Sequence, residues 1–215
     1  MLPTLDLQGR YDLGELRANL HRLDRELLDT SLERHRAGFF VIGQTETADS
    51  SRRLEEREVP GLLAFLRQHF RHVVIDGLRR LDGPELAVLE AAEAVVLLVT
   101  QEVVAVRDAR RAREALERLG VGEPRLRLVV NRFQKGSRID LGLLSDTVGL
   151  PVAATLANDW PSLGAAVQRG ALLFETAPRS ALAHDLSALA ASLPGASAPA
   201  PSHPRPLWSR LLSRR

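Results

Sequence analysis

Between Arg71 and Thr155, short apolar runs rich in β-branched residues alternate with longer stretches of helical periodicity. The runs are HVVID (72–76), AVVLLVT (94–100), RLRLVVN (125–131) and PVAAT (151–155). They carry continuous apolar side chains without regular alternation, the mark of strands covered on both faces, as in a parallel sheet. The segments Pro84–Ala92, Val103–Leu119 and Ile139–Thr147 between them have the length of crossover helices. The order βαβαβαβ predicts an α/β fold: a doubly wound, mostly parallel sheet with helices on both faces.

Before this region, LDL (5–7) and GFFVIG (38–43) are strand candidates. Leu13–Glu33 is a charged amphipathic helix or pair of helices, and Val59–Phe70 a helix feeding the strand that ends at Asp76. After the last strand, helices are expected over 162–169 and 180–193, and the ordered domain, 1–193, ends there. Residues 194–206 hold five prolines among small polar neighbours, an extended linker. The closing element, 207–215, sets Leu207, Trp208, Leu211 and Leu212 at helical spacing, with Arg210, Arg214 and Arg215 between and after them. That suits a short helix on a membrane surface or a partner, each arginine near an anionic leaflet contributing about 1 kcal/mol. A frayed, solvated tail is the other reading.

Composition narrows the class. The chain has 215 residues, 45% of them hydrophobic, and no cysteine, which excludes a disordered chain and a disulfide scaffold. Its pI of 9.8 suggests a nucleic-acid binder, yet the formal charge is only +2. All 29 basic residues except Lys135 are arginine, so few groups titrate between neutrality and pH 10. Arg205, Arg210, Arg214 and Arg215 lie beyond Gly195 without an acid, which leaves residues 1–194 with 25 bases against 27 acids. In the arginine-rich stretch 107–118, Asp108, Glu114 and Glu117 interleave with the bases, as on a solvated or dimer-facing helix. Nucleic acid is therefore not an expected partner. His69 and His72 have no carboxylate at ligand spacing, so no zinc site is expected. Asp6 interrupts any secretory core, and the longest apolar run, Ala94–Val99, is far short of the ~20 residues that span a bilayer. A cytoplasmic protein is expected, peripheral on the membrane's inner face if the tail binds there.

In such sheets ligands sit at the carboxyl ends of the strands, which singles out Asp76, Thr100, Asn131, Asn158 and Asp159. An aspartate closing an apolar strand, as Asp76 does, is the Walker B arrangement that orients the water shell of Mg²⁺ beside a nucleotide. It also suits an Asx-turn into Gly77. The carboxamide of Asn131 both donates and accepts, as reading a base edge requires.

These residues lie in longer resemblances. LLVTQEVVAVRDARRA (97–112) resembles the segment of MinD/ParA-type P-loop ATPases in which a strand ends in Val-Thr and the next helix carries Val-Arg-Asp-Ala. The family usually has a proline after that threonine; here Gln101-Glu102 follows. LVVNR (128–132) resembles its adenine-reading strand, and PVAATLAND (151–159) the strand and adenine-side loop after it. Over residues 4 to 193 the chain most resembles the CpaE/TadZ group of Tad (Flp) pilus-assembly proteins. LDLQG (5–9) falls where that group has an acidic second strand, with Thr4 replacing its first aspartate and Asp6 keeping its second. The resemblance implies ATP and Mg²⁺ as cofactors, a homodimer bridged by ATP at the cytoplasmic membrane surface, and pilus-assembly proteins as partners. It assigns Asp76 to the Mg²⁺ water shell, Asp6 to the switch side, and Asn131, Arg132, Asn158 and Asp159 to the adenine side. MinD-like relatives also use a C-terminal amphipathic segment for membrane contact.

The departures are equally specific. No G-x-x-x-x-G-K-[ST] phosphate loop occurs in the sequence, and Lys135, the sole lysine, follows the Asn-Arg strand. The family's first strand, P-loop and first helix would precede Met1, as would the receiver-like domain common in the group. Asp76-Gly77-Leu78-Arg79 stands where the family often has Asp-Leu-Pro-Arg. The 215 residues alone are expected not to hydrolyse ATP. An N-terminally shortened product and a non-enzymatic adaptor with a degenerate ATPase fold are both open. The first is favoured, because a missing central strand orphans backbone groups at about 1–3 kcal/mol each unless residues 2–7 fill the gap. A chromosome- or division-site-positioning ATPase is a third reading.

Overall fold

The computed structural model describes residues 5, 13–18, 32–43, 54–78, 81 and 83–195. In chain order the elements are α1 (Leu13–Ala18), β1 (Glu33–Arg34), β2 (Phe40–Val41), α2 (Val59–His69), α3 (Gly83–Ala91), β3 (Val95–Val99) and α4 (Val103–Arg118). There follow β4 (Leu126–Phe133), α5 (Leu141–Val148), β5 (Val152–Ala157), α6 (Trp160–Gln168), α7 (Leu173–Thr176) and α8 (Ala181–Ser192).

Three strands form a parallel sheet in the order β3-β4-β5. Leu128, Val129 and Val130 of the central strand are all fully buried. Alternation along β4 sends Leu128 and Val130 into a cluster with Leu89, Val106, Leu116, Leu144 and Val148. Val129 enters a second cluster with Leu156, Leu173, Leu182 and Ala183. α3, α4 and α5 therefore supply one face and α7 and α8 the other, the two-sided covering that the unbroken apolar run requires.

Side chains set the ends of the helices. Asp140 accepts from the Leu143 N–H at 2.8 Å to start α5, and Gly149, at φ 78°, ends it in the left-handed region. Ser180 accepts from Ala183 N–H at 3.2 Å to start α8. At the amino edge of the sheet, Arg125 donates to the Glu90 carbonyl at 2.8 Å and the Gly120 carbonyl at 3.0 Å, satisfying acceptors at the ends of α3 and α4. On α4, Arg110 pairs with Glu114 and Arg111 with Asp108 in solvent, whereas Arg113, paired with Glu117, is largely covered.

Three strand expectations need correction. HVVID (72–76) has no regular secondary structure and belongs to no strand, with Val74 89% and Ile75 41% exposed. Among the described residues β3 pairs on one side only, with β4, and no strand offers 72–76 a ladder. Val73 packs instead against a separate cluster of Leu16, Leu32, Leu62 and Leu66. GFFVIG (38–43) contributes Phe40–Val41 to a strand paired antiparallel with Glu33–Arg34, so Glu33 ends no helix and, among the described residues, the segment joins no parallel sheet. The intervening Gly38, at φ 94°, permits the tight reversal. Leu5 lies in a 3-10 turn, not a strand. The four-residue α7 was not anticipated, and β4 runs two residues past Asn131.

Ion pairs tie the N-terminal elements together and to the rest. Arg17 donates to Glu58 at 2.7 Å and to Glu55 at 2.6 Å, and Arg36 grips Glu175 of α7 at 3.0 and 2.7 Å. Burial pushes the Glu58 carboxyl up, but the Arg17 guanidinium and the Glu55 N–H more than offset it, leaving Glu58 below the ordinary carboxylate value. Hydrogen bonds from Arg36 and from the Leu172 N–H lower Glu175, and Arg110 lowers Glu114. These groups hold protons less readily folded than unfolded, so their stabilisation is present above the unfolded carboxylate pKa and lost as pH falls through the folded values. Urea midpoints are expected to stay level from pH 7 to about 5 and to fall below about 4. Arg36→Leu should shrink that acid fall; a fall of unchanged size would show that Glu175 does not contribute.

Candidate functional site

Because the three strands run the same way, their carboxyl ends share one edge. Thr100, the Asn131–Gln134 segment and Asn158–Asp159 fall there. The centre of this edge is irregular. Val130 pairs with Thr155 and Phe133 with Ala157, so Asn131 and Arg132 together face Leu156 alone. Such a bulge redirects side chains and is common beside binding sites. Arg132 has φ 51°, the only positive value among described non-glycine residues. A left-handed non-glycine backbone costs on the order of 1–3 kcal/mol and persists only where surroundings hold it.

Asn131 Oδ1 accepts from the Arg132 N–H at 2.9 Å, which braces that conformation. Its Nδ2 makes no hydrogen bond to described residues and remains a donor for a ligand. Arg132 is exposed, and so are Lys135 and Arg138 in the loop after it. A second support was not anticipated from the sequence. Gln101, directly after the strand-ending Thr100, donates from Nε2 to the Ile139 carbonyl at 2.7 Å and accepts at Oε1 from the Gln134 N–H at 2.8 Å. Its position at a strand's carboxyl end was the available signal.

Directly after β5, Asn158 is exposed, whereas Asp159 accepts from the Ser162 N–H at 3.2 Å and caps α6. Asp159 thus has a structural task at the place assigned to adenine. Asp185 of α8 accepts from the Ala157 N–H at 2.8 Å and fixes the end of β5, a role without a local sequence signal.

The structure brings Asn131, Arg132, Asn158 and Asp159 to one edge. Asp76 is not joined to it by strand pairing or any described hydrogen bond; it is exposed, just before Gly77 at φ 86°. Asp6 and the tail residues Leu207, Trp208, Arg210, Leu211, Leu212, Arg214 and Arg215 lie outside the described residues. Among those described, no group of three or more His, Asp or Glu side chains could hold a metal ion, and no helix is long and apolar enough to cross a membrane. One carboxylate such as Asp76 could orient a metal's water shell but not hold the ion without phosphate oxygens. The arrangement offers amide and guanidinium groups to a planar ligand; among the described residues no phosphate-cradling loop accompanies them.

No protein-family model matches the chain. It is similar to the septum site-determining protein MinD of Thermotoga maritima, 23% identical over 110 residues, which are 49% of this chain and 41% of that protein. The chain thus spans less than half of that relative's length. Among solved structures, a ParA family ATPase from Chlorobium tepidum superimposes with a TM-score of 0.82 at 20% identity, over 89% of this chain and 80% of that one. MinD of Pyrococcus horikoshii, solved with Mg-ADP, gives 0.68 at 16% identity over 87% and 75%. The MinC:MinD complex of Aquifex aeolicus gives 0.64 at 15% identity over 89% and 79%. The fold is therefore the α/β fold of ParA- and MinD-type P-loop ATPases, and at these identities the likeness speaks for fold alone.

Proposed function

We propose that this chain is a ParA/MinD-type protein of the CpaE/TadZ kind, acting in Tad pilus assembly or its polar placement. It keeps the base-side wall of an adenine-nucleotide site without the triphosphate grip. The observation that carries this reading is the Asn131–Arg132 bulge on the central parallel strand, beside Asn158, in a sequence with no phosphate loop. The Mg-ADP in the Pyrococcus MinD structure supports adenine nucleotide as the ligand class. Magnesium would be met through Asp76 and the nucleotide's own phosphates, a weak site in these residues alone. MinC:MinD association in the Aquifex structure supports action through protein partners, and a homodimer fits the same fold. The basic tail, 207–215, would add reversible contact with an anionic membrane surface, readable by vesicle co-sedimentation. With the body two charges negative, a chromosome-positioning role is the weaker reading; salt-sensitive DNA binding would revive it.

If the base wall alone remains, AMP, ADP and ATP should bind alike, within about threefold and with dissociation constants on the order of 1 mM. NMR titration of the 215-residue chain with Mg²⁺ present should shift the Asn131 and Asn158 side-chain amides, and no phosphate should be released from ATP. ATP bound about a hundredfold more tightly than AMP, or any turnover, would show an unrecognised phosphate grip. Silence of both asparagines would remove the nucleotide reading.

A further inference from the structure

We infer that Gln101 is a positioning residue that sets the base selectivity of this edge, an inference resting on the nucleotide reading above. The carboxamide reaches across from the end of β3 to the loop after β4 and is satisfied at both ends, donating to Ile139 and accepting from Gln134. The loop closes on itself as well. Ser137 N–H donates to the Gln134 carbonyl at 3.2 Å, and Ile139 N–H donates to Ser137 Oγ at 3.3 Å. Asp140 then begins α5, whose Leu144 and Val148 are fully buried. The loop is thus pinned at one end by a packed helix and at the other by Gln101.

What the clamp holds is the strained pair. Arg132, at φ 51°, lies two residues before Gln134, and its N–H is held by Asn131 Oδ1. Hydrogen-bond readout of a purine edge requires the Asn131 amide in one orientation, because adenine and guanine differ by exchange of donors and acceptors there. A side chain on a bulge keeps that orientation only if the chain on both sides is fixed. β4 fixes the near side and Gln101 the far side. No charge enters the clamp, so it does not compete with Arg132 or Lys135 for an anion.

The test compares the full chain with Gln101→Leu, which removes both bonds, and Gln101→Glu, which keeps the acceptor for Gln134 N–H and loses the donor to Ile139. AMP and GMP are titrated by NMR, and amide exchange is followed at Gln134. Gln101→Leu should weaken AMP by about fivefold, bring its preference over GMP close to one, and raise Gln134 exchange at least about tenfold, with Leu128 and Val130 amides unchanged. Gln101→Glu should keep Gln134 protected and recover part of the preference for AMP, which a purely structural role would not produce. Wild-type preference retained in Gln101→Leu overturns the inference and leaves the nucleotide reading intact. A wild-type chain that binds neither nucleotide overturns both, and unchanged Gln134 exchange in Gln101→Leu overturns the clamp itself.

Discussion

Leu128→Ala is expected to lower the unfolding free energy by about 3–5 kcal/mol, a large part of the ~5–15 kcal/mol typical of a domain. Leu128 is fully buried on the central strand, against a cluster drawn from three helices and both neighbouring strands. Truncation would remove its transfer free energy and leave a cavity whose walls are parts of rigid elements. Leu98, one strand away, is 53% exposed, and Leu98→Ala should cost less than about 1 kcal/mol. Urea denaturation of both variants decides the point. Equal losses would mean that β3 is covered in solution by something that buries Leu98, and a Leu128→Ala loss under about 1 kcal/mol would refute β4 as the centre of the core.

That contrast explains why much of the sheet was legible and why 72–76 misled. An apolar run states that a segment can be buried on both faces; it carries nothing about whether a neighbour offers hydrogen bonds. For 126–133 and 152–157 the two conditions coincide, because β4 supplies an edge to each side. For 72–76 they part, and Val74 is left outside. The same limit leaves Val96 and Leu98 exposed on β3, whose other face is buried at Val99. Capped helices were easier, because Asp140 and Ser180 act within three residues of themselves.

The site divides along similar lines. Asn131, Asn158 and Asp159 stand out because strand ends are where ligands bind in such sheets, yet the sequence does not separate a ligand-facing residue from a helix cap, which is what Asp159 is. The bulge at Asn131–Arg132 depends on register between β4 and β5, a property of two strands together. Gln101 was noticed as a departure from a proline, but its partners lie 33 and 38 residues away.

Asp185 extends that lesson, and its removal should have the second large effect on stability. Its carboxylate accepts the Ala157 N–H across 28 residues, joining α8 to the carboxyl end of β5. Asp185→Ala would orphan a partly buried N–H and lose a charge-assisted hydrogen bond, a cost of about 1.5–3 kcal/mol. Asp185→Asn keeps a carbonyl oxygen in place and should cost less than about 1 kcal/mol. Because Asn158 directly follows Ala157, the alanine variant should also broaden or shift the Asn158 amide resonance while leaving Asn131 unchanged. Thermal melts and a two-dimensional NMR spectrum of the two variants read both effects. Equal stability of the alanine and asparagine variants would mean that water replaces the carboxylate at Ala157, and that α8 steadies this edge by packing Leu182 and Ala183 against Val129 and Leu156 instead.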